Sequence, residues 1–305
     1  MVLAIFLATV TLARGQQAVS SISQARLFTN STGPETTSVD ANGNALTQSE
    51  TTNSGDGSFG TQIVLKKQER PRTFHVSGNV GVFYSNNVDL TPRGPRGDVF
   101  VAATVGAAWR PALTPTLVGD VSAGSSVFLY DRASELDFER ISAGAGLSWV
   151  IPHARGIVAF GRYDLTELLD ASGEEILQDH ELTMGLQKTF GFGRSHYLTT
   201  GITGTLAKSR PSWEERDQAA IHLTYHFQIT RSVDADLLYR FAAQFYDAEN
   251  RVDRNQALSL ALGACPTRWL RVEASISAAR NDSNRAAFEY DVLSLGSGVR
   301  FDIRF

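Results

Sequence analysis

A single cysteine, Cys265, stands in a chain of 305 residues, which excludes an internal disulfide framework and any multi-cysteine zinc site. Proline is scarce, at 9 residues, and after Thr73 no amphipathic-helix pattern appears. No Lys/Arg cluster forms a stripe that could follow a phosphate backbone, and a net charge of -4 argues further against nucleic acid as a partner. The apolar run Val2–Leu12 is too short to cross a bilayer as a helix. These absences leave no cofactor and no metal to be expected, and they point away from helical membrane proteins. The mean hydropathy of -0.14 looks like that of an ordinary water-soluble protein. That average misleads wherever half of every strand faces water.

What the chain does have is glycine, 26 residues, and aromatics, among them 17 Phe, 8 Tyr and 4 Trp, a mixture that suits strands. Three regions can be separated. Residues 1–15 read as a secretory signal, with Ala13 and Gly15 before a cut ahead of Gln16. Residues 16–72 are rich in Ser, Thr, Asn, Gly and Gln, cannot bury enough apolar surface to offset ordering, and are expected to be mostly disordered, with a short strand or plug at 59–67. From Thr73 to Phe305, about twelve segments alternate with a period of two.

The alternation is strict. "DVFVAATVGAAW" sets Val99, Val101, Ala103, Val105, Ala107 and Trp109 on one face, and "ISAGAGLSWV" opposes Ile141, Ala143, Ala145, Leu147 and Trp149 to Ser142, Gly144, Gly146 and Ser148. In "VDADLLYRFAAQF" the apolar set is Val233, Ala235, Leu237, Tyr239, Phe241 and Phe245. Charge avoids the apolar parity, with Lys188 near a strand end as the main exception, where a long side chain can reach an interface. Tight turns such as "GFGRS" alternate with polar, mostly longer loops such as "NNVDLTPRGPRG" and "DASGEEIL". An all-β, antiparallel, up-and-down transmembrane β-barrel has this asymmetry and keeps its polar parity inside.

The polar parity carries Asp120, Arg162, Asp164, Asp234, Asp236, Arg240, Arg271, Glu273, Arg300, Asp302 and Arg304. These either pair into a network that fills the interior or line a small aqueous pore whose field selects solutes. Aromatics at one end of the strands, Phe74, Trp109, Trp149, Phe190, Phe227 and Phe305, are placed to form an interfacial girdle. A catalytic set is not evident. His222 and His226 share one parity but lie about 13 Å apart along the strand, too far to chelate one ion alone. His180 beside Asp179 and Glu181, expected in an external loop, offers a hydrolytic pair no better supported than a solvated loop.

The last strand reads "LSLGSGVRFDIRF", with Val299, Phe301, Ile303 and Phe305 at alternate positions. This ending resembles the C-terminal signal of Gram-negative outer-membrane β-barrel proteins, and "FHVSGNVGVFYSNNVDLT" is similar to the openings of uncharacterised β-barrel porins. The resemblance covers about residues 73 to 305. It implies location in the cell outer membrane with the N-terminal segment in the periplasm. It also implies that the outer-membrane barrel assembly machinery reads Val299, Phe301, Ile303 and Phe305. Residues and resemblance together lead us to expect a porin-like passive channel for small hydrophilic solutes, embedded in outer-membrane lipid and without enzymatic activity. A non-conducting structural or surface-interaction barrel is the alternative, and a barrel hydrolase the less favoured one.

Overall fold

The computed structural model describes residues 73–193 and 195–305, and before them only the two-residue antiparallel strands Ser38–Val39 and Ala45–Leu46. The expected signal at 1–15 and the short strand or plug expected at 59–67 lie outside the described residues.

Twelve long strands follow in chain order. They are β1 (Phe74–Ser85), β2 (Asp98–Trp109), β3 (Leu117–Tyr130), β4 (Phe138–Val150), β5 (Ile157–Asp170) and β6 (Glu175–Gly191). The second half comprises β7 (His196–Arg210), β8 (Arg216–Gln228), β9 (Val233–Tyr246), β10 (Val252–Thr267), β11 (Leu270–Ser283) and β12 (Tyr290–Arg304). Each pairs antiparallel with its neighbour in sequence, and β12 returns to pair with β1 from Arg304↔His75 to Ser294↔Ser85, so the sheet closes. Closure satisfies every strand edge within the ring, a condition for strands that meet lipid. The seam ends on Phe305, whose N–H donates to the Phe74 carbonyl at 2.9 Å while its ring lies 6.2 Å from that of Phe74. The final residue is thus part of the barrel wall.

Both ends of the barrel chain lie at one rim, here the terminal end. The opposite rim is the loop end. Connections at the loop end are 86–97, 131–137, 171–174, 211–215, 247–251 and 284–289, against 110–116, 151–156, 192–195, 229–232 and 268–269 at the terminal end. The asymmetry is weaker than the sequence suggests. "DASGEEIL" closes to a four-residue turn because the Asp170 carboxylate accepts the backbone N–H groups of Ser172 and Glu174, and Gly173 takes a left-handed φ of 82°, so β6 starts at Glu175.

Burial is inverted relative to a soluble barrel. On β9 the outward set Leu237 and Phe245 is exposed, whereas inward Asp234, Arg240 and Gln244 are buried. Leu147, Met184, Ile202, Leu258, Ile276 and Val299 repeat the pattern around the ring. From Trp149 to Ile141 on β4 the outward face is uninterruptedly apolar, which at strand rise and ordinary tilt is a band roughly 20 Å tall. Outward charges sit at its margins: Lys188 over the Phe190 ring at 4.8 Å, Glu139 accepting from Ser125 at 2.9 Å, and Lys208 with Glu215 at 2.6 Å. Such a band is stable only against hydrocarbon.

Candidate functional site

Twelve strands about 4.8 Å apart and tilted about 40° enclose a ring roughly 24 Å across between opposite backbones. Gly, Ser and Thr alone leave such a lumen open, so its large side chains decide its shape. They divide it into two halves.

In the terminal half the charged residues lie along the wall. Arg162 on β5 bonds Asp164 on its own strand at 2.7 Å, Asp120 across on β3, and Ser122 at 2.7 Å, while Arg110 reaches Asp120 at 2.8 Å. Arg271 on β11 bonds Asp234 at 2.6 Å and Asp236 at 3.0 Å on β9, with Glu273 at 3.4 Å. Arg300 meets Glu273 at 3.5 Å, and Arg304 meets Asp302 at 2.8 Å. Each of these pairs joins residues of one strand, of adjacent strands or of strands one apart, or, for Arg110, a turn residue and the strand that follows it. None bridges the lumen.

Glycine makes the flat arrangement possible. The guanidinium of Arg271 crosses β10 directly over Gly263, and Arg162 with Asp164 covers Gly144 and Gly146 of β4; a Cβ at Gly263 or Gly144 would overlap those side chains. Gly144→Val is expected to leave the barrel folded, since flexible tips can yield, but to lift Arg162 and Asp164 into the lumen. Lower single-channel conductance with unchanged heat-dependent gel mobility would show it.

The loop half is narrower. Phe83, Phe100, Phe128, Tyr130, Phe138, Leu168 and Leu177 project inward from β1–β6 as one apolar cluster, with Phe128 and Phe138 stacked at 4.4 Å. Loop 86–97 folds onto it through Val88, and loop 131–137 through Ala133 and Leu136. Arg96 ties the two loops together, bonding Asp89 at 2.8 Å and Glu135 at 2.6 Å, and the hydrogen bond to Asp89 holds its pKa above the ordinary value. The facing wall is polar: Arg216 lies between Asp179 (3.0 Å) and Glu181, and Arg240, Gln244, Asn255 and Asn281 are buried beside it.

Of the eleven charged residues placed on the polar parity, ten fall into three separate clusters: Asp120, Arg162 and Asp164; Asp234, Asp236, Arg271, Glu273 and Arg300; and Asp302 with Arg304, where His75 lies 3.8 Å from Asp302. Arg240 stands apart from all of them, half a strand further toward the loops. The sequence reading did not anticipate the apolar cluster, Arg110, Arg140, Arg216 or Arg251. The named aromatics Phe74, Trp109, Trp149, Phe190 and Phe305 face outward and are exposed at the terminal end; Phe227 is partly covered by His196, stacked at 4.5 Å.

The histidines disperse. His180 lies within β6, not in a loop, and faces outward to Tyr163 at 2.6 Å, while Asp179 and Glu181 face inward. The alternation of a strand thus separates the expected hydrolytic pair. His222 bonds Thr203 and His226 bonds Asp236. His226, Asp234 and Asp236 do come within 4.8 Å of one another, but the Arg271 guanidinium already occupies the space between the carboxylates and supplies the positive charge a metal would bring.

A closed ring with an apolar outside and a charged, glycine-bedded inside is the fold of outer-membrane β-barrels. Among solved structures it matches an outer-membrane channel from Pseudomonas putida F1 with TM-score 0.50 at 8% identity, covering 79% of this chain and all of the other. A bacterial polysaccharide outer-membrane secretin gives TM-score 0.47 at 10% identity over 77% of this chain and 100% of that one. The translocator domain of an autotransporter from Neisseria meningitidis gives 0.45 at 9% identity over 77% and 90%. No protein-family model matches the chain, and no curated protein matches it.

Proposed function

We propose that this protein is an outer-membrane channel that passes small hydrophilic solutes by diffusion. The observation that carries the reading is the wall-parallel course of the ion pairs Arg162–Asp120 and Arg271–Asp234, laid over Gly144, Gly146 and Gly263. Charges meant to fill a barrel bridge its walls, whereas charges that leave the axis free create a field in water. In this reading the terminal end faces the periplasm, on the side assigned to the segment 16–72, and Val299, Phe301, Ile303 and Phe305 form the strand recognised during assembly.

A second reading, a non-conducting barrel, draws on the packed loop half, where Ala102, Phe128, Phe138 and Ala242 are fully or almost fully buried. Planar-bilayer recording of refolded protein, after a heat-dependent gel shift has verified folding, separates the two. Stable steps that scale with salt are expected. A folded barrel that stays silent, with and without residues 16–72, would select the second reading.

A further inference from the structure

We infer that the lumen selects anions, and that its waist around Arg240 binds the carboxylate group of a small solute. The inference rests on the channel reading and deepens it. It starts from the partners of the inward-facing arginines. Arg162, Arg216, Arg251, Arg271, Arg300 and Arg304 each have a carboxylate within ion-pair distance. Among the described residues, Arg140 and Arg240 also face inward but have none: Arg140 reaches only the Thr166 hydroxyl at 3.5 Å, and Arg240 only the Asn255 side-chain oxygen, also at 3.5 Å.

Arg240 is only 4% exposed. A guanidinium taken that far out of water and left without a counter-charge is costly, and an oxyanion is the partner that offsets the cost best, because two parallel N–H donors match its two oxygens. The carboxylates in its neighbourhood do not do so. Asp179 and Glu181 are both held by Arg216, and the buried Asp253 two positions along β10 from Asn255 is held by Arg251, so none of these carboxylates lies within ion-pair distance of Arg240.

An independent observation marks the same place. The hydroxyl of Ser259 is buried and has no hydrogen-bond partner. Ser259 lies on β10, two positions along the inner face from Ala257, the residue paired with Arg240, and opposite Ser277 of β11, itself paired with Ser294 of β12. A free donor beside an uncompensated cation, with further hydroxyls along the wall, is what a carboxylate needs as it sheds water at a constriction. Arg140, five strands away in a ring of twelve, places the second uncompensated guanidinium on nearly the opposite wall.

The test is the reversal potential of the folded, full-length protein in planar bilayers under a potassium chloride gradient, repeated with potassium acetate. We expect chloride and acetate each to be favoured over potassium several-fold. Arg240→Gln is expected to abolish most of that preference, Arg240→Lys to keep its sign, and Arg140→Gln to reduce it less. A wild-type channel that conducts without preference, or prefers cations, overturns the inference while leaving the channel reading intact, as does Arg240→Gln with unchanged selectivity. If Arg240→Gln fails the heat-shift test for folding, the wild-type potentials and Arg140→Gln decide. A folded wild type with no steps overturns the channel reading and the inference together.

Discussion

Ile276→Arg is expected to destabilise the barrel in lipid by about 2–4 kcal/mol, the cost of an arginine at the middle of the hydrocarbon on a barrel's outer face. Ile276 is 42% exposed and lies midway along β11, flanked by Leu260 of β10 and Leu295 of β12. The adjacent Ser275 faces the lumen, on the same face as Glu273 two residues away, so Ser275→Arg places the same charge beside water and an acid. We expect its cost to be under about 1 kcal/mol, since lumen positions tolerate charge. Urea unfolding of both variants in vesicles, followed by tryptophan fluorescence, measures the difference. Similar losses for the two would mean that the apolar parity does not face lipid, and the inside and outside of the barrel would have to be exchanged.

That experiment tests the part of the structure most legible from sequence. A period of two repeated through twelve segments fixes strand number and facing, because a one-residue slip would carry every apolar side chain to the wrong side. Charged residues on the polar parity were legible for the same reason. Their partners were not: Arg271 and Asp234 sit on strands separated by β10, and nothing in either segment states how far one strand is staggered against the next. The shear that brings Gly263 beneath Arg271 is a property of the closed ring.

The apolar cluster was concealed differently. "VFYS", "DVFV" and "VFLY" each carry consecutive apolar residues at the loop end of a strand, which breaks the alternation by placing Phe83, Phe100 and Phe128 inward. Read as noise in a periodic pattern, these breaks are lost. Read as a local rule, apolar on both faces near one rim, they announce a core inside the mouth of the barrel.

That core yields the second large expectation. Val88 of loop 86–97 is 0% exposed within the cluster, and Val88→Asp would bury a carboxylate in an apolar cluster that includes Phe100, Phe128 and Tyr130. Swinging the loop out into water relieves that cost, and the ties that oppose it include Arg96 to Glu135, Asn87 to the Asp291 carbonyl at 3.0 Å, and Asn86, whose backbone N–H donates to the Leu293 carbonyl and whose side-chain oxygen accepts from the Leu293 N–H. The barrel itself does not depend on the loop, since β1 and β2 are paired from Phe74↔Trp109 to Ser85↔Asp98. Val88→Asp is therefore expected to raise single-channel conductance several-fold while the heat-dependent gel shift persists, and Arg96→Gln, which loosens the tie without charging the core, to raise it less. New protease cleavage within 86–97 would verify release of the loop. Cleavage with unchanged conductance would move the constriction off this loop and onto the opposite wall, where Arg216 and Arg240 stand.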